Sequence, residues 1–145
     1  MFTGTHTNSI DEKGRVVIPV KLRYGLGERV WLSKGPDGCL NIFTQDGWSE
    51  YKSAYVTNRT LKDENARKLQ RFIFGGAHEL DIDQRQGRIN LPQDLIDYAG
   101  IGKEVVFVGA ESYIELWDPA AYEKEMGPDN LNPKRIMADA GEMEE

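Results

Sequence analysis

The chain states one short block twice. Gly14-Arg15-Val16-Val17-Ile18-Pro19 returns as Gly87-Arg88-Ile89-Asn90-Leu91-Pro92, with Gly, Arg and Pro each displaced by 73 positions. A second block, Cys39-Leu40-Asn41-Ile42-Phe43-Thr44, lines up with Tyr113-Ile114-Glu115-Leu116-Trp117-Asp118 at a displacement of 74. Between them, Glu28-Arg29-Val30-Trp31-Leu32 answers Lys103-Glu104-Val105-Val106-Phe107 at 75. Three blocks in one order, drifting by two residues, define a duplicated unit of roughly forty residues. At 145 residues the chain is long enough to bury one core and too short for two comfortable ones. The two copies are therefore expected to complete one shared core, as two half-barrels would.

Each Gly-Arg step opens a β-branched run, Val16 to Ile18 and Ile89 to Leu91, which reads as a strand leaving a tight turn. Pro19 and Pro92 stop ladder donation and suit the first turn of a helix. Short helices are predicted over Val20 to Tyr24 and Gln93 to Ala99, with Gly25 and Gly100 as C-terminal caps. Two strands follow in each copy, near 29–33 and 39–43, then near 104–108 and 112–117. Asp118-Pro119 is a strong helix start, and Thr44 holds the matching place in the first copy. The helix after Thr44 carries Trp48, Tyr51 and Tyr55 on one stripe, read as core or as subunit contact. A bridging helix from Asp63 to Phe74 sets Ala66, Leu69, Phe72 and Ile73 opposite Lys62, Lys68 and Arg71. These elements divide the chain into a first repeat with its helix (1–58), a bridging helix (59–76), a second repeat with its helix (77–126) and an acidic, poorly ordered tail (127–145).

The net charge of −6 argues against a nucleic-acid partner until its distribution is read. Residues 118–145 hold eight acids and three bases, so nearly all the excess lies there. Residues 1–36 hold six bases and three acids, although a solvated face gives the same count. The start of the chain has no apolar segment of the kind a signal peptide needs, and no run is long enough to span a membrane, so a cytoplasmic protein is expected. Cys39 has no second thiol to pair with, and its match to Tyr113 argues for a strand position.

Catalytic patterns are missing. His6 and His78 are isolated in sequence, and no H-E-x-x-H, C-x-x-C, G-x-S-x-G or phosphate-loop pattern occurs. Asp81 and Asp83 alternate with Leu80 and Ile82 and fit the wet face of a strand, with metal binding as the alternative. The expectation is no enzyme, no metal and no cofactor. The Gly-Arg turns differ, because a guanidinium on a stiff turn is well shaped for bidentate approach to phosphate or to a guanine edge. The opposing reading is that Arg15 pairs with Asp11 to fix its own loop; both roles coexist if Asp11 orients an Arg that still presents a face.

Asp11-Glu12-Lys13-Gly14-Arg15, its echo at Gly87-Arg88, the approach from Ala77 to Leu80, and the run from Tyr98 to Gly109 followed by Glu115-Leu116-Trp117 together resemble the MraZ family over residues 1 to about 125. The resemblance implies a mainly β fold with flanking helices, in which two tandem AbrB-like repeats form one pseudo-two-fold swapped-hairpin β-barrel. It implies a bacterial transcriptional regulator, nucleoid-associated, that assembles as a ring-like homo-oligomer. Its partner would be double-stranded promoter DNA with short direct repeats, upstream of the division and cell-wall gene cluster that includes its own gene. Carried over residue by residue, the DNA-facing groups are Lys13, Arg15, Arg88 and the extra base Arg85, with Asp11, Gly14, Asp83 and Gly87 orienting the loops. One departure stands out: four residues before Arg88 lies Gln84, and the nearest acid, Asp83, is one place early. Either the second loop carries one extra residue or the Asp role is absent there. An antitoxin-like regulator and a protein-interaction scaffold are the rival readings of the same barrel.

Overall fold

Short β-branched and aromatic runs between glycine turns give the strands, and the intervening polar-apolar stripes give the helices. The computed structural model describes residues 1–57 and 62–144. Along them lie β1 (Thr5–Ser9), β2 (Arg15–Val17), α1 (Val20–Arg23), β3 (Arg29–Lys34), β4 (Leu40–Phe43) and α2 (Gln45–Lys52), which runs into a π-helical turn (Ser53–Thr57). The rest are α3 (Glu64–Gly75), β5 (His78–Asp81), β6 (Arg88–Asn90), α4 (Gln93–Ala99), β7 (Glu104–Gly109), β8 (Ile114–Trp117), α5 (Pro119–Glu125) and α6 (Pro133–Glu144). The fold is mainly β with flanking helices, as expected. The boundary drawn between 58 and 59 and the final residue, Glu145, lie outside the described residues.

Six strands form one antiparallel sheet in the order β1-β7-β8-β4-β3-β5, and β2 pairs with β6 in a separate ladder. Isolated bridges between Ile10 and Val16 and between Asp83 and Arg88 hook that ladder onto the outer strands. The pairing crosses between the copies. β1 of the first lies on β7 of the second, with Thr7 opposite Val106, and β5 of the second lies on β3 of the first, with Glu79 opposite Trp31. On the β4–β8 seam, Leu40 faces Leu116 and Ile42 faces Ile114, pairs that exchange under the displacement of 74 and leave Asn41 opposite Glu115 on the axis. On the β2–β6 seam, Arg15 faces Asn90 and Val17 faces Arg88, which leaves Val16 opposite Ile89 on the axis. A pseudo-two-fold axis therefore enters through one seam and leaves through the other.

The core sits between the seams. Val16, Ile18 and Leu22 of the first copy meet Ile89, Leu91 and Leu95 of the second, together with Leu32, Leu40, Ile42, Phe107, Ile114 and Leu116. The helix starts repeat as well: Thr44 Oγ1 accepts from the Gly47 amide at 2.9 Å, and Asp118 Oδ2 accepts from the Ala121 amide at 3.1 Å. Gly100 caps α4 in the left-handed region, as its position predicts. Gly25 does not cap α1, whose last residue is followed by Tyr24 in a right-handed conformation. Its missing side chain serves packing instead, since a Cβ there would stand 2.8 Å from the Phe2 ring.

The Trp48, Tyr51, Tyr55 stripe runs from core to surface. Trp48 is buried and stacks on Trp31 with ring centroids 5.1 Å apart, while Tyr55 is half exposed. α3 buries Ala66 and Ile73 and lays Leu69 and Phe72 against the same aromatic group. Cys39 is buried immediately before β4, one residue short of the strand, and burial pushes its thiol well above the usual range. The segment read as a poorly ordered tail carries α6. Asn132 Oδ1 accepts from the Arg135 amide at 3.1 Å, Pro133 occupies the first helical position, and Ala138 and Ala140 favour the helix.

Two outcomes follow from a core shared across the axis. Leu116→Ala, at a fully buried seam position, is expected to cost about 2–5 kcal/mol in urea unfolding, and a loss under about 1 kcal/mol would contradict tight packing at β4–β8. Residues 1–76 alone leave β1 and β2 without their ladder partners and strip β3 and β4 of one neighbour each, so as a monomer they should show no cooperative melting transition by circular dichroism; a sharp monomeric transition would refute the shared core.

Candidate nucleic-acid interface

Both Gly-Arg turns stand at the β2–β6 seam, on hairpins built by the same rule with different lengths. In the first, the Asp11 amide donates to the Arg15 carbonyl and the Gly14 amide to the Asp11 carbonyl, each at 3.0 Å. Gly14 then takes φ +83°, a conformation that strains any residue with a Cβ. Asp11 Oδ1 accepts from the Lys13 amide at 3.0 Å and the Arg15 amide at 2.9 Å, and Oδ2 accepts from Arg15 Nε at 2.7 Å. The Arg15 amide contributes most to holding the Asp11 carboxyl below the usual carboxylate range. Partial burial opposes this, and the Arg15 side chain and Lys13 amide add to it.

The second turn resolves the Gln84 question in favour of an extra residue. The Asp83 amide donates to the Arg88 carbonyl at 3.0 Å, and the Gly87 amide donates to the Asp83 carbonyl at 2.6 Å, one residue further along than in the first turn. Asp83 Oδ1 accepts from the Arg85 amide at 3.0 Å, and its Oδ2 lies 3.4 Å from Arg88 Nε. Gly87 again supplies a positive φ, +68°. Gln84 turns away from this set and donates to the Ile82 carbonyl at 2.9 Å. Asp83 therefore occupies the place of Asp11, at a looser distance from its arginine. The displacement between copies is 72 from His6 to His78 and 73 from Arg15 to Arg88, and the step between them is this inserted loop residue.

The two turns are locked to each other. Ile18 N–H donates to the Gly87 carbonyl and Leu91 N–H to the Gly14 carbonyl, both at 2.8 Å. Because Val16 and Ile89 point into the core, Arg15, Val17, Arg88 and Asn90 share the outer face of the ladder. Arg15 and Arg88 line one shallow depression of about 210 Å³, with Asp11, Val17 and Gln86. Each arginine spends Nε on the aspartate of its own turn and retains roughly a third of its side-chain exposure, 37% and 34%. Their terminal amines have no partner among the described residues. Lys13 and Arg85 are exposed at the loop tips, and among the described residues their side chains make no hydrogen bond while their backbone amides bond to the aspartates of their own turns. Each aspartate thus holds its arginine while part of the arginine side chain stays exposed.

Arg23 escaped the sequence reading. Its side chain crosses Gly87, so that a Cβ on Gly87 would collide with the guanidinium. The signal was a repeat mismatch: the displacement of 73 pairs Arg23 with Ile96, and Ile96 Cδ1 stands 3.2 Å from where a Gly14 Cβ would be. The wet-face acids have partners of their own, Asp81 with Arg29 Nε at 2.9 Å and Asp83 with Arg88. Among the described residues no three His, Cys, Asp or Glu side chains gather as a metal site requires. No helix among them is long and apolar enough to cross a membrane.

The family model described as "MraZ protein, putative antitoxin-like" matches the chain twice, over residues 1–72 and 73–131. The chain is 40% identical to the transcriptional regulator MraZ of Acetivibrio thermocellus over 136 residues, covering 94% of both chains. It is also 40% identical to the transcriptional regulator MraZ of Caldicellulosiruptor bescii over 145 residues, covering 100% of this chain and 98% of the relative. Likeness of this extent, spread across both repeats and joined to the paired turns of the β2–β6 seam, places the chain in the MraZ family.

Proposed function

We propose that this chain is a sequence-specific DNA-binding transcriptional regulator, with Lys13, Arg15, Arg85 and Arg88 facing the duplex. The observation that carries the reading is the pair of arginines on one outer face, each held through Nε by its own turn's aspartate with its terminal amines left over. A guanidinium presented in this way matches a phosphate or the O6/N7 edge of guanine. Phosphate contacts set position and base contacts set sequence, so Lys13 and Arg85 at the tips supply the first while Arg15 and Arg88 are placed for the second. The names of the relatives support regulation of transcription. Tandem short repeats upstream of the division and cell-wall cluster, including its own gene, are the target in this reading.

One barrel offers few basic groups and would bind weakly alone. A ring-like homo-oligomer engaging repeated sites gains through effective concentration, on the order of 10² to 10⁴ over single-site affinity. A second reading has one observation behind it: the family description is antitoxin-like, and α6 exposes Ile136, Met137 and Asp139, a face a small toxin could cover. Co-purification with the product of an adjacent small gene would favour it.

Arg15→Ala and Arg88→Ala are each expected to weaken binding to DNA upstream of the chain's own gene by about tenfold or more, equivalent to about 1–3 kcal/mol. The melting temperature should hardly move, because both side chains are partly solvated. Wild-type affinity for Arg15→Ala in a mobility-shift assay refutes the site assignment. Solution mass measured with and without that DNA should show an oligomer that takes up duplex as a unit; a monomer in both conditions removes the avidity argument.

A further inference from the structure

The duplication leaves one space that the shared core does not use. Against the outer face of β4, the helix α2, its π-helical turn, α3 and the loop before β8 border a cavity of about 520 Å³. Its walls are aromatic, from Phe43, Tyr51, Tyr55, Phe72 and Tyr113. The Phe43 ring lies 4.6 Å from Tyr51 and 5.6 Å from Tyr113, at interplanar angles of 30° and 25°. Rings set at such shallow angles offer flat faces on which a planar molecule stacks. The second copy has no equal among the described residues. Displaced by 74, Phe43 and Trp48 become Trp117 and Tyr122, whose rings pack on each other at 5.7 Å, and Tyr51 becomes Glu125. α6 follows α5 as α3 follows α2, yet it stands exposed from Pro133 to Gly141 and supplies no matching wall. The cavity is therefore a product of the bridging helices and lies outside the pseudo-two-fold plan.

One polar group of its lining lacks a partner. Asn41 is only 4% exposed and borders the cavity. Its side-chain oxygen has the Cys39 thiol at 3.9 Å and lies close to Gly35, whose added Cβ would stand 3.1 Å away. Its nitrogen donates to no group among the described residues. The Ser33 hydroxyl, opposite it on β3, is sealed in; the Asn41 nitrogen is not. A buried amide donor at a cavity wall calls for an acceptor. The Tyr113 hydroxyl does not serve, since it donates to Glu115 Oε2 at 3.1 Å. Among the described residues the lining holds one charged side chain, Glu50, which is exposed, and no base. A phosphate finds nothing to neutralise it there, whereas an amino group finds a carboxylate. We propose that this cavity binds a flat, uncharged nitrogen heterocycle of the adenine type, as free base or nucleoside. A ring nitrogen accepts from Asn41, an amino group turns toward Glu50, and the aromatic faces stack on the ring. The site stands apart from the Gly-Arg turns, and the inference does not rest on the DNA reading.

The test titrates adenine, indole and 5′-AMP into the full wild-type chain and into Asn41→Leu by calorimetry. Indole is a flat bicycle of similar size whose single nitrogen is a donor, so it offers Asn41 nothing to bond. Wild type is expected to bind adenine about tenfold or more tightly than either indole or 5′-AMP. In Asn41→Leu the preference for adenine over indole should vanish, because both hydrogen-bonding atoms of the amide are gone. Hydrogen exchange on wild type gives a readout that needs no variant: adenine should slow amides in 47–51 and 112–113 and leave 11–15 unchanged. No binding of adenine, equal affinity for adenine and indole, or 5′-AMP bound as tightly as adenine each overturns the proposal. Protection confined to the Gly-Arg turns overturns it too. So does an adenine affinity that falls as protein concentration rises, because a second copy of the chain is then the occupant.

Discussion

The surface at the β2–β6 seam depends on hydrogen bonds that run between the repeats. Ile18 bonds to Gly87 and Leu91 to Gly14, while the outer strands β1 and β5 each lie on a strand of the other copy. Buried backbone donors and acceptors must be paired, and in this chain the partner of each half is the other half. The core is consequently indivisible, and the two turns cannot shift independently. A movement of one glycine carbonyl would orphan an amide at the base of the opposite copy's helix.

That lock gives the Asp-Arg pairs their meaning. An exposed ion pair such as Asp11 with Arg15 is screened by solvent and contributes little to stability, too little to account for two such pairs at matching places. Orientation is the larger effect. A free arginine side chain loses about 1.5–2 kcal/mol of rotamer freedom when a ligand immobilises it. Holding Nε at 2.7 Å spends part of that cost in advance and leaves the terminal amines without a partner among the described residues. Asp83 does the same at 3.4 Å across a longer loop, so Arg88 is less tightly held than Arg15.

Much of this was legible in the residues because backbone pairing preserves register. The Gly-Arg blocks and the Leu40-Asn41-Ile42 and Ile114-Glu115-Leu116 blocks gave the repeat, the strands, the shared core and the two turns, since most of their buried positions carry apolar or turn-forming residues. The strand β1 was not legible: Thr5 to Ser9 is polar and carries only His6 in common with β5, because one face of an outer strand meets water. Gly25 misled for a different reason, as a glycine after a helix signals a cap only when its φ is positive, and here Phe2 packing sets the residue. The tail misled because its acidic composition masked a capped, alanine-containing helix. The Gln84 ambiguity was undecidable from spacing, since an inserted loop residue and a lost aspartate leave the same string of letters.

Strand order also explains how an acidic chain keeps a basic face. The axis passes through the β2–β6 seam, which carries the Gly-Arg turns, and through the β4–β8 seam at the middle of the six-stranded sheet. β8 ends at Trp117, and the acid-rich remainder of the chain begins at Asp118, so it leaves the barrel from the second seam. At physiological ionic strength exposed charges beyond about 8 Å are largely screened from one another. Net charge sums over both seams, whereas a phosphate approaching the turns responds to the arginines and the few acids beside it. The duplication that forces the halves to share a core therefore also ties both arginine turns to one seam, while the acid-rich remainder of the chain starts from a strand of the other.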